Sequence, residues 1–126
     1  MSKTADLRKL IKTQLNTTDG KTYYLTAPDD AGYPYKTFEL SRFDLGDLVR
    51  DDIDLCVDVW DKHTDTKHID AIADQIEELF NAVNLPQETI LPTIFRESRY
   101  PIADDDKNIK HIQMHFTVQN YVNKEE

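Results

Sequence analysis

The stretch Ile53-Asp-Leu-Cys-Val-Asp-Val-Trp60 decides the fold, because apolar and polar residues alternate along most of its length. A period of two is typical of a β-strand that buries one of its faces. The buried face would carry Ile53, Leu55, Val57 and Val59. The pattern therefore predicts a strand over residues 52–60. Its opposite face, of mixed character, would carry Cys56, Asp58 and Trp60.

The residues after this strand predict a helix. Apolar side chains recur there every three or four residues, at Ile69, Ile72, Ala73, Ile76, Phe80 and Val83. This spacing places them along one face of an α-helix. Asp65 or Thr66 would cap its start. We expect the helix to end near Asn84, because Pro86 cannot continue it.

Shorter patterns predict the remaining elements. An N-terminal helix, capped by Ser2 or Thr4, would bury Leu7, Leu10, Ile11 and Leu15. Further strands are predicted over residues 22–26, 33–43, 89–100 and 110–122. This order predicts a single α+β domain over residues 1–126. We expect two layers, with an antiparallel or mixed β-sheet of about five strands and the two α-helices packed on one face.

The composition argues against nucleic-acid and membrane-spanning roles. Among 126 residues, 15 Lys+Arg stand against 24 Asp+Glu, and the net charge of −9 repels phosphate backbones. The chain has no apolar run of the roughly 18 residues that a membrane span requires. Its start, MSKTADLRKL, lacks the apolar segment of a secretion signal, and Cys56 has no cysteine partner. We therefore expect a soluble protein made in a reducing cytoplasm.

The motifs that could carry catalysis are incomplete. Gly20-Lys21-Thr22 resembles the end of a phosphate-binding loop, but Leu15 occupies the position of the required earlier glycine. The four histidines, His63, His68, His111 and His115, match no zinc-binding spacing. A lone cysteine such as Cys56 is usually a packed side chain. We therefore predict no catalytic residue, no metal ligand and no cofactor, and we expect the protein not to be an enzyme.

Two features favour contacts with other chains. Trp60 is a large aromatic residue on the mixed face of its strand, and aromatic residues are favoured interface anchors. A packed position under a loop is the alternative for this side chain. The connection after the second strand carries Leu45, Leu48 and Val49, more apolar surface than a solvated loop needs. This connection is either a packed loop or a subunit-contacting arm. Leu45, Leu48, Val49 and Trp60 are thus the candidate subunit-interface residues.

A family resemblance rests on the order of these elements. An amphipathic helix is followed by the strand with Gly32-Tyr-Pro-Tyr35, the strand that ends at Trp60, the helix over residues 68–80 and a closing strand of alternating polarity. This order resembles the tail-terminator or tail-completion proteins of long-tailed bacteriophages and prophages. The resemblance covers nearly the whole chain, and its most telling element is the aliphatic strand ending in Val-Trp before a polar loop and a helix.

The resemblance implies a structural tail component without an active site. Such proteins form a ring, commonly a hexamer, that caps the finished tube of the major tail tube protein and offers a docking surface to the head-tail connector protein. DNA would pass through the ring lumen without specific binding, and a negative lumen would repel its phosphates. The implied location is the bacterial host cytoplasm during assembly and the virion tail afterwards.

Three other functions stay open from the sequence. A neighbouring role in the same particle, such as a head-closure or other head-tail joining protein, would share the family resemblance. A small metal-dependent hydrolase would use the aspartate clusters and histidines, although the sequence shows no converging set. A monomeric adaptor would bind peptides along a sheet edge.

Overall fold

The fold was determined from a computed structural model that describes residues 2–45 and 50–122. The described residues form two helices and six strands in the order α1, β1, β2, β3, α2, β4, β5, β6. The helices are α1 (Lys3–Leu15) and α2 (Lys67–Leu79). The strands are β1 (Lys21–Tyr24), β2 (Tyr35–Leu45), β3 (Arg50–Lys62), β4 (Val83–Asn84), β5 (Ile90–Ile102) and β6 (Ile109–Val122).

All six strands form one mixed sheet with the spatial order β1-β2-β3-β6-β5-β4. β1 pairs in parallel with β2, and every other neighbouring pair is antiparallel. The long strands β3 and β6 form the centre of the sheet, with Val57 opposite Met114 and Trp60 opposite His111. The predicted α+β class is confirmed, and of the two predicted sheet types, antiparallel or mixed, the sheet is mixed.

The sheet has one strand more than the sequence predicts, because α2 ends earlier. Helical spacing continues to Val83 in the sequence, but the helix ends at Leu79. Ala82 then adopts the left-handed region with a φ of 51°, which turns the chain out of the helical path. Val83 is thereby released to pair with Ile94 in β5, and it packs against the core from a strand instead of a helix.

Both helix starts have a local explanation in the sequence. The Ser2 hydroxyl accepts a hydrogen bond from the Ala5 amide at 3.2 Å, so the predicted cap of α1 is confirmed. Thr66 is the cap residue of α2, but its side chain makes no capping hydrogen bond. The Asp65 carboxylate instead accepts from the Lys67 amide at 3.0 Å.

One cluster of buried side chains joins helices and sheet. It contains Leu7, Ile11 and Leu15 from α1, Ile69, Ile72, Ala73 and Ile76 from α2, and alternate residues of the strands. We call the sheet face that carries Phe38, Ile53, Leu55, Val57, Val59, Ile112, Met114, Phe116 and Val118 the core face. We call the opposite face, which carries Tyr35, Cys56, Asp58, Trp60, Tyr100, His111, Gln113 and His115, the polar face.

A buried lysine fixes the loop between α1 and β1. Lys36 shares the core-face parity of Phe38 and is fully buried. Its ammonium donates hydrogen bonds to the carbonyl oxygens of Asp19 at 2.8 Å and Gly20 at 2.6 Å. Burial lowers the pKa of Lys36 to about 8, and the nearby Asp19 carboxylate opposes that effect. The loop around Asp19 is therefore held in place from inside the protein.

Candidate functional site

Three flat rings stack side by side on the polar face. Tyr35, Trp60 and His111 lie opposite one another on β2, β3 and β6. The ring centroids of Tyr35 and Trp60 are 5.1 Å apart, and those of Trp60 and His111 are 4.3 Å apart. The interplanar angles are 22° and 20°, so the rings are close to parallel. Trp60 is thus half-buried between two neighbours and presents its remaining surface on this face.

A hydrogen-bond network continues from this stack across β6. The Asp58 carboxylate lies 2.7 Å from His111 Nε2 and accepts from Gln113 Nε2 at 3.0 Å. The Tyr100 hydroxyl donates to Gln113 Oε1 at 2.5 Å and lies 3.1 Å from His115 Nε2. Burial disfavours the charge on Asp58, but the hydrogen bonds from His111 and Gln113 outweigh that effect and lower its pKa.

Cys56 lies beside this network without the properties of a nucleophile. Its thiol is 3.7 Å from Asp58 Oδ2, while the His111 ring is engaged by the other oxygen of that carboxylate. Burial, followed by the negative charges of Asp58 and Glu39, raises the pKa of the Cys56 thiol to about 12. A thiol that stays protonated at neutral pH cannot attack a substrate. The predicted packed role of Cys56 accounts for these contacts.

The four candidate subunit-interface residues have different positions relative to the described structure. Trp60 lies on the polar face, as predicted, and is packed between two rings. Leu45 ends β2 opposite Asp51 of β3, but its side chain lies outside the described structure. Leu48 and Val49 lie outside the described residues altogether. Because Asp44 also pairs with Asp52, the connection that carries Leu48 and Val49 joins two antiparallel strands.

The hairpin of β2 and β3 has an open edge in the described part of the chain. β1 pairs only with residues 35–38 of β2. No described strand pairs with the outer edge of residues 39–45, where Phe43 is 38% exposed. An unpaired edge presents backbone N–H and C=O groups that a strand of another chain can bind.

A separate cluster of possible metal ligands lies where β3 leads into α2. Asp61, His63 and His68 each offer one ligand atom, and these atoms lie within 4.8 Å of one another. Asp61 is buried, His63 is exposed and His68 is intermediate. The sequence predicts no metal ligand, because its histidines match no zinc-binding spacing. The chain reversal between strand and helix is what brings the three side chains together.

The chain was compared with known proteins. No protein-family model matches it, and no curated protein matches it in sequence. A chain from the virion of a native gene transfer agent (GTA) particle is similar in structure, with a TM-score of 0.61 and 11% sequence identity. The match covers 88% of this chain and 84% of that chain. The two chains share a fold.

Neither described helix can cross a lipid bilayer, because each is too short and too polar to do so.

Proposed function

We propose that this protein is a structural component of a phage or prophage particle and, more specifically, a tail terminator or tail-completion protein. It would form a ring, most simply a hexamer, that caps the tail tube and lets the tube join the head connector. The observation that carries the proposal is the fold shared with a virion chain over most of both chains. Because fold alone does not define function, the surfaces of the polar face and of the open β2 edge must also fit this role.

The polar face and the open edge of β2 support an assembly role. Interfaces are enriched in aromatic residues, and the stack of Tyr35, Trp60 and His111 offers a rigid aromatic surface. The open edge of residues 39–45 offers backbone groups for strand addition by a neighbouring subunit. In the proposed ring, Leu45, Leu48, Val49 and Trp60 contact the adjacent subunit.

The chemistry of the polar face supports a structural role for this face over nucleophilic catalysis. Asp58 and His111 form a close pair, but the neighbouring Cys56 thiol has a pKa of about 12. The described residues therefore supply no activated nucleophile next to a base on this face. The carboxylate and the imidazole instead satisfy each other's hydrogen bonds, as groups in a packed polar network do.

The negative charge is consistent with a ring around DNA. Each chain carries a net charge of −9, and a ring multiplies this charge by its number of subunits. We propose that the lumen is negative, so that DNA phosphates are repelled and the genome slides through without specific binding. A structure of the assembled ring with a basic inner wall would contradict this part of the proposal.

Deletion of the gene from the phage or prophage that encodes it tests the proposal. Electron microscopy of the resulting particles should show tails of uncontrolled length or tails that do not join heads. A head-closure or other head-tail joining protein is the alternative that the same fold supports. Its loss should leave tails of normal length beside heads that have lost their DNA. Normal virions would show that neither role is correct.

The same particles also test the proposed location and partners. The protein should be found in the host cytoplasm during assembly and in the tail fraction of mature virions. It should not be associated with a membrane at either stage. Cross-linking of mature particles should join it to the tail tube protein on one side and to the connector on the other. Recovery of the protein only from host fractions, with none in purified virions, would oppose a structural role in the particle.

A further inference from the structure

We propose that Asp61, His63 and His68 form a Zn²⁺ site that ties the end of β3 to the start of α2. This inference is independent of the proposed assembly role. It rests on three ligand atoms within 4.8 Å of one another and on the way the surrounding residues hold them. Two imidazoles and one carboxylate are a donor set that divalent transition metals, and Zn²⁺ in particular, accept.

The backbone positions the three ligands independently of a metal. Asp61 is the penultimate residue of β3 and shares the core-face parity of Val57 and Val59. The His63 amide donates to the Asn108 carbonyl at 2.8 Å, which keeps the chain next to β6 beyond the end of the strand. His68 lies in the first turn of α2. Two of the ligands are thus held by regular structure and the third by a backbone hydrogen bond.

The Asp61 carboxylate can accept more hydrogen bonds than the residues around it donate. Its side chain is only 3% exposed. In the described structure, the one hydrogen-bond partner of this carboxylate is His68 Nδ1, at 3.0 Å from Oδ2. A carboxylate can accept about four hydrogen bonds, and burying a charge with few partners is unfavourable. A divalent cation bound to Asp61 and to His68 Nδ1 would replace the proton that these two groups share, and it would compensate the buried negative charge.

Asp19 supplies the outer support that a metal-binding histidine usually has. Its carboxylate lies 2.8 Å from Nε2 of His68, on the other side of the ring from Asp61. An imidazole that binds a metal through one nitrogen commonly donates the other N–H to a carboxylate, which fixes its tautomer and orientation. Lys36 holds the loop of Asp19 from the core, so this support is itself anchored.

The cluster needs only a small contraction to bind Zn²⁺. Ligand atoms at the usual Zn–N and Zn–O distances lie about 3.3 Å apart in a tetrahedron. The three ligand atoms now lie within 4.8 Å of one another, so any pair that is wider than the tetrahedral spacing must move closer. His63 is exposed, and its ring contacts His68 edge-on with centroids 5.6 Å apart. Rotation of His63 about its side-chain bonds can close the site, and the fourth position stays open to water.

Titration of untagged, chelator-treated full-length protein with Zn²⁺ tests the site. Calorimetry should show one saturable Zn²⁺ site per chain, and Co²⁺ should give the visible bands of a tetrahedral complex. The variant His63→Ala should bind Zn²⁺ about a hundredfold more weakly, and Asp19→Asn about tenfold more weakly, as expected for a ligand and its outer support. Because His63 is exposed, its variant should retain the fold.

His115→Ala is the matched control, because it removes a histidine of the polar face that is not part of the cluster. Its Zn²⁺ affinity should equal that of the wild type. The inference is wrong if no saturable binding occurs, if His63→Ala binds as tightly as the wild type, or if His115→Ala is weakened equally. Circular dichroism of each variant confirms that the compared proteins are folded.

Discussion

The two faces of the central strands differ in chemistry, although both faces belong to the same two strands, β3 and β6. On β3 and β6 the core face carries aliphatic residues, Met114 and Phe116, which are almost completely buried. The polar face carries aromatic rings and a hydrogen-bond network whose members keep part of their surface exposed. Burial of the core-face side chains contributes most to the free energy of folding, whereas the polar-face side chains remain available to a partner. Stability and assembly are therefore expected to respond to mutations on different faces.

The largest loss of stability is expected on the core face, at Phe116. Its ring packs edge-on against Phe80 with centroids 5.2 Å apart, and both are fully buried. Phe116→Ala should lower the free energy of unfolding by about 3–5 kcal/mol, as measured by urea denaturation. Thr117→Ala, the next residue on the polar face, is the control and should cost less than about 1 kcal/mol. Equal losses for the two variants would remove the distinction between the faces.

A smaller and pH-dependent effect is expected from the buried charge at Lys36. A lysine whose folded-state pKa lies below its unfolded value holds fewer protons when folded, so stability increases as pH rises through the folded pKa. For a folded pKa of about 8, the free energy of unfolding should rise by about 2 kcal/mol between about pH 7 and about pH 9.5. Urea denaturation at the two pH values measures this change.

Lys36→Met is the reference variant for that measurement, because other groups also titrate in this range. The variant should lack the Lys36 contribution, so the difference between the two proteins isolates it. The core face would then contain a charge that is tolerated at neutral pH only because the carbonyl groups of Asp19 and Gly20 bind it. Identical pH dependence in the two proteins would contradict this account of Lys36.

At Trp60, we expect a modest effect on stability and a decisive one on assembly. Trp60→Ala removes both stacking contacts, to Tyr35 and to His111, at a cost of about 1–3 kcal/mol. Light scattering should show that the wild type assembles, alone or on tail tubes, and that this variant stays monomeric. Trp60→Phe retains a flat ring and should retain assembly. An Ala variant that assembles like the wild type would exclude Trp60 from the subunit contact.

The sequence predicted the sorting of residues between the faces better than it predicted the ends of elements. Alternation along β3 and β6 identifies both faces, because the period of a strand is a local property. The early end of α2 was not predictable from spacing, since Val83 continues the helical pattern. It depends on the left-handed conformation of Ala82 and on pairing with β5, which is a tertiary contact.

For the candidate sites too, the sequence predicted what depends on a single strand and missed what depends on contacts between distant segments. The position of Trp60 on the polar face was predicted from its own strand. Its partners Tyr35 and His111 were not, because the register of three strands places them beside it. The proposed metal ligands lie within one short segment, yet their convergence depends on the turn between β3 and α2. Asp19, the outer support, comes from a distant loop, and no sequence pattern predicts that it lies next to His68.

The smallest effect on stability is expected at Cys56, which tests whether the polar face is chemically inert. With a pKa of about 12, only about one thiol in ten thousand is ionised at about pH 8. In unfolded protein the ordinary pKa near 8.5 leaves roughly a quarter of the thiols ionised. A chromogenic disulfide reagent should therefore react with the folded protein at least about a thousandfold more slowly than with protein in urea.

The variant Cys56→Ser completes this test, because it removes the thiol while keeping a small side chain beside Asp58. Its free energy of unfolding should change by less than about 1 kcal/mol, and its assembly should equal that of the wild type. Rapid modification of the folded wild type would mean that the thiol is accessible and activated. Slow modification together with intact assembly would mean that the polar face acts through its rings and hydrogen bonds, with no covalent chemistry.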